Sequence, residues 1–482
     1  MSFVGRWKVT GGAVAAAAIL GAGLSYPAVP AGAANTVTGR LAAASGVKPS
    51  AAPGTPQLNK TGTNEEVIRE LVPCGNTMYA VGRFTSIKHG ATIYSRNNIF
   101  SFKKTAPFTV TAWAPNVNGQ VNAIAFNGSN CSRAYIGGSF TSVSGTAVSN
   151  IAEISTSSGN VISTFGHSAN NEVWTMVYAK GHLLTGGDFH FVNGSKNPFM
   201  ASLSPVTGKD DGFVHLNISG DYQYCAQGGS PCTKNSHSSQ VYNQQLSHSG
   251  NLDLVEGRFT SVGGQPRQQI FMLNLGGAKA TVTGWTSPEW DGSNTTADPY
   301  YQCWPSLAFY VRTAAWSPGD STVYLATTGL RPAQNLAKGA RTGLCDSVTA
   351  WPAAQHSVTH NWIEYSGCDS YYSVAADNGA VYAAGHPRWA NNSNACNAQG
   401  TGAVPDPGLQ GLNPANGIVE LNSGGTALYT MTRANADNML VTSAGLWIGS
   451  TNRYTVNKCG DLKGPPGHNS ADHAGICFLP YP

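Results

Sequence analysis

One short motif recurs along the chain and limits what the chain can fold into. Its clearest copy is YIGGSFTSVSG at Tyr135–Gly145, and three close copies are YAVGRFTSIKHG at Tyr79–Gly90, LTGGDFHFVNG at Leu184–Gly194 and LVEGRFTSVGG at Leu254–Gly264. Fainter copies begin at Tyr324, Tyr382 and Trp447. Aligned on the second glycine or its replacement, the seven copies place this residue at positions 82, 138, 187, 257, 327, 385 and 450. The variable spacing predicts one structural unit that recurs with insertions of different size.

Each copy predicts a β-strand with a glycine on one face. The second glycine and the phenylalanine two residues later share a face, because side chains alternate along a strand. A glycine inside a strand is unfavourable unless another part of the chain approaches closely there, and we expect the neighbouring sheet to do so. A short strand precedes each copy after the first, and a third strand follows, expected at Ile418–Leu421 in the sixth unit. A fourth strand often ends in an aromatic residue.

Seven units of four short antiparallel strands predict an all-β fold, a seven-bladed β-propeller. The last unit has strands at Asn438–Thr442, Leu446–Ser450 and Ile476–Leu479, and no fourth strand follows in the sequence. We therefore expect an N-terminal strand at about Thr55–Lys60 to complete this blade. Closing the ring in this way removes two open sheet edges. A two-sheet sandwich is the alternative, and the seven matching units favour the propeller.

The same residues resemble those of a known group of proteins. The units GG-x-F-T-x-V-x-G are similar to bacterial propeller repeats of the delta-60 type. The segments GHPRWANN (Gly385–Asn392), LWIGS (Leu446–Ser450) and AGICFLPYP (Ala474–Pro482) resemble the last blades of secreted bacterial propeller proteins. The resemblance implies a propeller fold and secretion. It carries over no catalytic residues, because the family has no established activity, and the fifth and seventh copies depart most from its pattern.

Residues 1–34 are predicted to be a signal peptide. They combine a basic start at Arg6 and Lys8, an Ala/Gly-rich apolar stretch at Val9–Leu24 and a small-residue cleavage site at Ala31–Ala33. An uncleaved anchor is the alternative, although the apolar stretch is short for a spanning helix. Residues 35–54, rich in Ala, Ser, Pro and Gly, predict a flexible leader. Residues 55–482 are then a single propeller domain.

Charge argues against two classes of partner. The formal net charge is +4, or +2 without Arg6 and Lys8, and only 11% of the residues are charged. Because no cluster of lysines or arginines occurs, we expect binding neither to nucleic acid nor to a membrane. Abundant Asn, Ser, Thr, Gly and aromatic residues suit a secreted, extracellular monomer that meets neutral polar partners.

The ten cysteines favour export, because an even number in a secreted chain predicts disulfides. In a propeller, the loops that lead into a blade and the loops between its second and third strands lie on one face. Placing the cysteines in this topology predicts the pairs Cys74–Cys131, Cys225–Cys232, Cys303–Cys345, Cys368–Cys396 and Cys459–Cys477. Zinc binding is the alternative, and the sequence lacks the C-x-x-C pair that would favour it.

The longest insertions are predicted to lie on one face, around the fourth to seventh blades. Loops on a rigid scaffold often carry binding sites, although these loops could also only cap the ring. Flat aromatic rings can stack on a pyranose, and amide and guanidinium groups can bond its hydroxyls. The residues expected to bind in this way are Trp290, Tyr300, Tyr301, Trp304, His386, Arg388, Trp389, Asn391 and Asn392.

Sequence signatures of catalysis are largely absent. No G-x-S-x-G with triad partners, H-E-x-x-H or EF-hand loop occurs, and we expect no catalytic residue, no metal and no cofactor. The first hypothesis is a secreted binding propeller for a glycan, a cell-wall polymer or another exported protein. The alternative is an extracellular glycoside hydrolase or lyase, because carboxylates are expected near the loop-rich face at Glu289, Asp291, Asp298, Glu364 and Asp369. A second alternative is an adaptor in an extracellular protein assembly.

Overall fold

Every regular element in the described part of the chain is a β-strand, and none is a helix. The structure is a computed structural model. It describes residues 40–41, 46–59, 65–225, 234–290, 309–329, 343–354, 356, 358–429, 436–451 and 475–482. For residues 40–41, 222–225, 234–237 and 437 it describes the backbone only.

The strands are numbered β1 to β39 along the chain. The first twelve are β1 (Arg40–Leu41), β2 (Gln57–Leu58), β3 (Val67–Cys74), β4 (Thr77–Arg83), β5 (Ser86–His89), β6 (Thr92–Ser95), β7 (Ile99–Lys103), β8 (Gln120–Asn127), β9 (Asn130–Ser139), β10 (Ser142–Val143), β11 (Thr146–Ala147) and β12 (Ile151–Ser155). The next fourteen are β13 (Val173–Ala179), β14 (His182–Gly187), β15 (Phe191–Val192), β16 (Ser195–Lys196), β17 (Met200–Leu203), β18 (Ile218–Ser219), β19 (Tyr222–Cys225), β20 (Lys234–His237), β21 (Gln240–Leu246), β22 (Leu252–Arg258), β23 (Ser261–Val262), β24 (Gln265–Pro266), β25 (Ile270–Asn274) and β26 (Thr281–Val282). The last thirteen are β27 (Val311–Trp316), β28 (Thr322–Thr327), β29 (Ser347–Pro352), β30 (Trp362–Tyr365), β31 (Tyr371–Ala376), β32 (Val381–Gly385), β33 (Trp389–Ala390), β34 (Val404–Pro405), β35 (Leu409–Leu412), β36 (Glu420–Leu421), β37 (Ala436–Thr442), β38 (Gly445–Ser450) and β39 (Ile476–Pro480).

Antiparallel sheets follow one another along the chain. Those that contain the repeats are β3-β4-β7, β8-β9-β12, β13-β14-β17, β21-β22-β25-β26, β27-β28-β29-β30, β31-β32-β35 and β37-β38-β39, which we name sheets 1 to 7. In sheets 1, 2, 3 and 6 a single bridge adds a fourth segment outside the third strand. These bridges are Phe102–Val110, Ile154–Val161, Leu203–Asp210 and Leu412–Val419.

The hydrophobic core lies between consecutive sheets. Each cluster of buried side chains draws residues from two neighbouring sheets, such as Tyr79 of sheet 1 and Ile136 of sheet 2. One cluster joins sheet 7 to sheet 1 through Trp447 and Ile68. Burying such a side chain contributes about 1.5–3 kcal/mol, so contacts between sheets are a main source of stability. Antiparallel sheets packed face to face in chain order are the arrangement of a β-propeller.

The second glycine of the repeat lies opposite a β-bulge of its own sheet, which corrects the expectation that the neighbouring sheet approaches it. In each first strand one extra residue interrupts the pairing with the second strand. All seven aligned positions, including Thr327 and Ser450, pair with the residue just before this bulge. A Cβ atom on Gly138 would overlap the backbone carbonyl of Gln120. The bulged strand therefore makes the close approach.

The first glycine of the pair is the one that the neighbouring sheet approaches. A Cβ atom on Gly137 would lie 2.5 Å from Cγ1 of Val173, which belongs to sheet 3. A Cβ atom on Gly186 would in the same way overlap Val241 of sheet 4. Two adjacent glycines thus meet two different steric demands, one within a sheet and one between sheets.

Small hairpins follow the second strands and form a second tier on one side of the molecule. Within the described residues they are β5–β6, β10–β11, β15–β16, β23–β24 and β33–β34. In sheets 1 to 4 the segment ahead of the first strand pairs with this hairpin, through Leu58–Ile87, Val117–Val143, Ala169–Val192 and Ile218–Val262. This is the side on which the first strands begin, and the sequence analysis places the longest loops there as well.

The N-terminal segment runs along β39, the last strand of sheet 7. The backbone N–H groups of Lys48 and Ala52 donate hydrogen bonds to carbonyl oxygens of Pro480 and Phe478, at 2.7 and 2.8 Å. The Thr55 hydroxyl donates to a third carbonyl of β39 at 2.6 Å. Thr55, in the segment expected to be the closing strand, therefore contacts the last sheet, whereas β2 in the same segment pairs with β5.

The prediction of a flexible leader up to residue 54 is wrong from Gly46 onwards. Val47 is buried, its N–H donates to the Tyr382 hydroxyl at 2.9 Å, and its carbonyl accepts from the Tyr429 hydroxyl at 2.7 Å. The composition misled the prediction because one apolar residue and a series of backbone hydrogen bonds are enough to hold this segment. Further toward the N-terminus, β1 pairs in parallel with β36.

The third strand of sheet 6 is β35, which corrects the prediction of Ile418–Leu421. β35 pairs with β32 along its whole length, whereas Val419 only bridges outside it. The sequence PDPG at Pro405–Gly408 ends the preceding loop, because proline and glycine favour turns. Gly408 has a φ of 87°, which suits glycine. The loop after β32 is therefore shorter than predicted.

Candidate ligand-binding site in the central cavity

The first strands of the seven sheets line a common cavity of about 520 Å³. Residues of β3, β8, β13, β21, β27, β31 and β37 all contribute to its wall. Pockets that hold small ligands commonly have volumes of about 300–1,000 Å³. The cavity is therefore large enough to take a ligand, and it is our candidate site.

The bulges decide which large side chains reach this cavity. Side chains alternate along a regular strand, but the extra residue of a bulge aims its side chain in a new direction. The bulge residues that line the cavity are Arg69, Asn122, Trp174, Tyr242, Arg312 and Tyr372. Asp437 occupies the same place in sheet 7, where only its backbone is described. We name the six lining residues the bulge ring.

Two members of the bulge ring also link neighbouring sheets. The Asn122 amide donates to the carbonyl of Val173 in sheet 3 at 3.0 Å, and the Tyr242 hydroxyl donates to the carbonyl of Val311 in sheet 5. Val173 and Val311 each pair just before a bulge, so the two hydrogen bonds occupy equivalent places. Burial raises the pKa of the Tyr242 phenol above its usual range, and the phenol therefore stays protonated as a donor.

Two arginines lie over tyrosine rings on the side of sheets 4 to 6. The guanidinium carbon of Arg312 is 5.5 Å from the centre of the Tyr372 ring, and that of Arg258 is 5.9 Å from the centre of the Tyr310 ring. All four residues line the cavity. A cation over an aromatic face gains about 0.5–1 kcal/mol at exposed sites. These contacts hold two positive charges and two aromatic rings at the cavity wall.

Carboxyl groups lie on the side of sheets 1 to 3. Glu70 lines the cavity and accepts a hydrogen bond from the backbone N–H of Ile124 at 2.7 Å. Burial raises the pKa of Glu70 to about 8, and this hydrogen bond offsets only part of the increase. Beside the cavity, Glu172 accepts from the Asn122 amide at 2.8 Å, and burial raises its pKa as well. The side of sheets 1 to 3 therefore combines hydrogen-bonding carboxyl groups with Arg69 and Trp174, while the side of sheets 4 to 6 carries Arg258, Arg312 and the two tyrosines.

The predicted binding residues Arg388 and Asn392 direct their polar groups into the protein. Arg388 Nε and Nη2 donate to the two carboxylate oxygens of Asp369 at 2.7 and 3.0 Å. Asn392 is fully buried, and its side-chain oxygen accepts from the backbone N–H of Gly400 at 2.9 Å. These residues hold the loop between β32 and β35 in shape, and they do not line the cavity.

Among the remaining predicted residues that the structure describes, His386 is the one that contacts the bulge ring. Its Nδ1 lies 3.1 Å from the Tyr372 hydroxyl, and the two rings meet edge to face. Trp389 is half-buried in β33, and Asn391 contributes a backbone N–H that donates to Glu364 at 2.5 Å. Trp389 and Asn391 do not line the cavity.

The prediction that Trp290 is exposed for ligand binding is wrong. Its side chain is 1% exposed and packs in the core between sheets 4 and 5. Its ring centre lies 5.2 Å from that of Trp285 and 4.3 Å from that of Trp351. A ring enclosed by two others cannot stack on a sugar. Tyr300, Tyr301 and Trp304 lie outside the described residues.

The cysteine pairs Cys74–Cys131 and Cys368–Cys396 form disulfides, as the blade topology predicts. The first of them joins sheets 1 and 2. Cys345 and Cys477 are also disulfide-bonded. Their predicted partners Cys303 and Cys459 lie outside the described residues, as do Cys232 and the side chain of Cys225.

Three of the carboxylates considered for glycoside hydrolysis have partners within the protein, and Asp291 and Asp298 lie outside the described residues. Glu289 lies 2.8 Å from Nδ1 of His360, Asp369 pairs with Arg388, and Glu364 accepts from a backbone N–H. Across the described ranges, no group of three or more His, Cys, Asp or Glu side chains is placed to hold a metal ion. Nor does the same part of the chain contain a helix with the length and apolar character needed to cross a membrane.

Comparison with known proteins finds solved structures that are similar to this chain, with TM-scores below 0.5 for those described here. No protein-family model matches the chain, and no curated protein matches it. The chain is similar to the structure of Sqt1 from Saccharomyces cerevisiae, with 8% identity, coverage of 89% of this chain and 99% of that one, and a TM-score of 0.46. It is also similar to BamB from Moraxella catarrhalis, with 10% identity, 87% and 99% coverage and a TM-score of 0.38. The chain is similar as well to the WD40 propeller domain of Doa1, with 12% identity, coverage of 82% of this chain and 94% of that one, and a TM-score of 0.38. At these TM-scores the similarities carry no argument about function.

The sequence analysis did not single out the bulge ring, although a signal for it exists. Each first strand begins with an apolar residue, then a large or polar residue, then a polar or small one, as in Val173-Trp174-Thr175 and Val241-Tyr242-Asn243. One copy alone does not reveal a bulge, because a regular strand can carry the same residues. The aligned glycine is the second half of the signal, since it makes room for the bulged backbone.

Proposed function

We propose that this protein is a secreted, seven-bladed β-propeller that binds a glycan at the bulge ring of its central cavity. The observation that carries the proposal is the bulge ring, in which aromatic, amide and guanidinium side chains face one cavity. Aromatic faces can stack on the apolar side of a pyranose, and the other groups can bond its hydroxyls. This site replaces the loop residues expected from the sequence and lies toward the same side of the molecule.

Contacts between sheet 7 and sheet 1 support the closed ring in this proposal. The Leu71 N–H donates to the side-chain oxygen of Asn438 at 3.3 Å. The Ile124 N–H donates to Glu70 in the equivalent place between sheets 1 and 2. A core cluster also joins the last sheet to the first. Because these contacts repeat those between consecutive sheets, they favour seven equivalent blades, with the segment from residue 48 as the outer strand of the last blade.

Two observations support secretion and the proposed family. The disulfides Cys74–Cys131 and Cys368–Cys396 suit an oxidising compartment. The equivalent bulges show that the glycine-centred repeats are structural units, which favours placing the chain with the propellers of the delta-60 type. Expression of the full chain with its N-terminal residues, followed by mass spectrometry of the culture medium, tests export and cleavage after residue 34.

Binding to immobilised polysaccharides tests the glycan proposal. Wild type is expected to bind at least one member of a panel of glucan, galactan, mannan, polygalacturonate and isolated cell-wall glycan. Trp174→Ala and Tyr372→Ala should each weaken that binding roughly two- to tenfold if aromatic contacts of about 0.5–1.5 kcal/mol are lost, with little change in melting temperature. Phe191→Ala is the matched control, because Phe191 is 46% exposed and lies outside the cavity.

The same experiment separates the alternatives. Binding that survives both cavity substitutions would refute the cavity as the site. Release of shorter sugars from a bound polymer would show that the protein is an enzyme. If no polysaccharide binds and exported proteins are captured in a manner that depends on Trp174, the adaptor alternative replaces the glycan proposal.

A further inference from the structure

Arg258 and Arg312 form a pair of positive charges in the cavity wall. Arg312 is the bulge residue of sheet 5 and is exposed, while Arg258 directly follows the aligned glycine of sheet 4 and is half-buried. Each lies over its own tyrosine, at 5.5 and 5.9 Å. Both also lie close enough to the Tyr242 phenol to favour its ionised form, although burial dominates and raises its pKa. Arg258, Arg312 and Tyr242 all line the same cavity.

The protein does not neutralise this pair within the described residues. Neither arginine forms an ion pair there. Arg258 also acts on the carboxyl group of Asp188. It lowers the pKa of Asp188, but burial raises this pKa more, so the net change is an increase. Glu256 on β22 is fully buried, and burial together with the charge of Asp253 raises its pKa well above the usual range. Burial thus disfavours the charged form of Glu256, and Glu256 makes no ion pair with either arginine within the described residues.

From this arrangement we infer that the glycan is acidic and that Arg258 and Arg312 bind the carboxylate of a uronic acid. The inference rests on the proposed function of the cavity as a glycan site. A guanidinium group presents parallel N–H donors that match the two oxygens of a carboxylate. The tyrosine faces beside both arginines supply an apolar surface for the sugar ring.

The opposite wall favours a sugar with one charged edge. Glu70 and the Asn122–Glu172 pair lie on the side of sheets 1 to 3 and can accept hydrogen bonds from hydroxyl groups. Burial raises the pKa of Glu70 to about 8, so its carboxyl group can also donate a hydrogen bond to a sugar hydroxyl. A uronate residue carries its carboxylate on one edge and hydroxyls on the others, so it matches both walls. Densely sulfated sugars match only one.

The test uses the full-length secreted protein and pairs of polymers that differ only in charge. Oligomers of galacturonate, of mannuronate and of glucuronate are each compared with the same oligomer after reduction of its carboxyl groups to alcohols. Wild type is expected to bind at least one uronate roughly ten- to a hundredfold more tightly than its reduced counterpart, since hydrogen bonds to charged groups contribute about 1.5–3 kcal/mol. Arg258→Gln and Arg312→Gln should each remove most of this preference, and added salt should reduce it.

Arg83→Gln is the matched control. Arg83 follows the aligned glycine of sheet 1 as Arg258 follows that of sheet 4, but it does not line the cavity, and its Nε donates to the carbonyl of Glu65. It should leave the preference intact. Equal binding of uronate and reduced oligomers, with loss of both on Trp174→Ala, would refute the acidic ligand and keep the glycan site. If neither acidic nor reduced oligomers bind, both the glycan site and the acidic ligand are refuted. If a sulfated glycan is preferred, the inference that the arginines bind a carboxylate is refuted.

Discussion

Aromatic, amide and guanidinium side chains concentrate in two regions of this molecule, the segment His386–Asn392 and the bulge ring, and the two regions use them differently. In the segment, Arg388 pairs with Asp369 through two hydrogen bonds. In the bulge ring, Arg312 lies over a tyrosine and points into a cavity. The residue types are the same in both. What distinguishes the regions is where the side chains lie: Arg388 is paired with Asp369 away from the cavity, whereas the bulge-ring side chains line the cavity.

The difference follows from how each backbone is held. The segment lies in a long connection, and ordering the backbone costs about 1–2 kcal/mol per residue. Its side chains and the Cys368–Cys396 disulfide compensate for this cost. The bulge residues lie on strands whose backbones are paired to the second strands of their sheets. Strand pairing thus holds the backbone of the bulge residues, while their side chains line the cavity.

The largest effect is expected at Trp290, which belongs with the packed region. Trp290→Ala should reduce the free energy of unfolding by about 3–5 kcal/mol, because it opens a cavity between two other tryptophans. Denaturant unfolding measures the change. Trp174→Ala is the comparison from the bulge ring and should cost much less. If Trp290→Ala lost ligand binding while its stability stayed intact, the division between packed and available rings would fail.

The next effect concerns the glycine that makes the bulge ring possible. Gly138→Val should cost about 3 kcal/mol or more, because its side chain would overlap the carbonyl of Gln120 and displace the bulge at Asn122. Thermal unfolding checks the magnitude. Gly145→Ala is a control at a turn where a Cβ atom meets no neighbour, although its φ of 84° adds a small conformational cost. A mild effect at Gly138 would mean that the bulge can relax.

Much of the fold can be predicted from the sequence because the repeat is a periodic signal. The alignment of seven copies finds equivalent positions even where Thr327 and Ser450 replace glycine, since the surrounding apolar pattern persists. The steric reason for the second glycine was misassigned. Its close neighbour is a bulge, and a bulge depends on the pairing of two strands, which no single strand encodes.

Two features could not be predicted from the sequence: the backbone conformation at particular turns, and which side chains pair with one another. Phe199 and Gln269 adopt φ values of 69° and 63° just before the third strand, the same place as Asn98 and Asn150 in sheets 1 and 2. Asparagine there is a usual choice for positive φ, but phenylalanine and glutamine are not, so tertiary contacts impose the turn. In the same way, the sequence around Arg388 does not predict that Arg388 pairs with Asp369.

A smaller effect separates the two arginine environments. Arg388→Ala should lower the free energy of unfolding by about 1–2 kcal/mol, because it leaves Asp369 without its charged donor in a partly exposed site. Glycan binding should not change. Arg312→Ala should show the reverse, with binding lost and stability kept. Both variants are measured by denaturant unfolding and by binding to the polysaccharide that binds wild type most tightly. If the two variants behaved identically, the distinction between the segment and the bulge ring would be contradicted.

Stability should also depend on pH through the neutral carboxyl groups of sheet 4. Burial raises the pKa of Glu256 in the folded state, whereas in the unfolded chain it ionises near pH 4.5. Its contribution is therefore fully present below about pH 4.5 and is lost as the pH rises toward the folded pKa. Glu256→Gln should reduce the loss of stability between pH 5 and pH 8.

Asp211→Asn provides a control of opposite sign for the pH effect. Burial raises the pKa of Asp211, but hydrogen bonds from Ser202 and His182 outweigh it and lower the pKa overall. The wild-type group therefore adds stability above its unfolded pKa of about 3.8, and the variant should lose stability at neutral pH. Equal pH profiles for wild type and Glu256→Gln would show that the pKa of Glu256 is not raised in the folded protein.

The smallest effect is expected at Tyr242, a member of the bulge ring whose hydroxyl contributes to stability. The Tyr242 hydroxyl donates to the Val311 carbonyl in the next sheet, so Tyr242→Phe should cost about 1 kcal/mol of stability. The ring face toward the cavity is unchanged, and binding should stay within about twofold of wild type. Asn122→Ala, which removes the equivalent bond to Val173, should behave alike in stability. If Tyr242→Phe keeps its stability and loses binding, the hydroxyl faces the ligand, and the bulge ring contains no purely structural tyrosine.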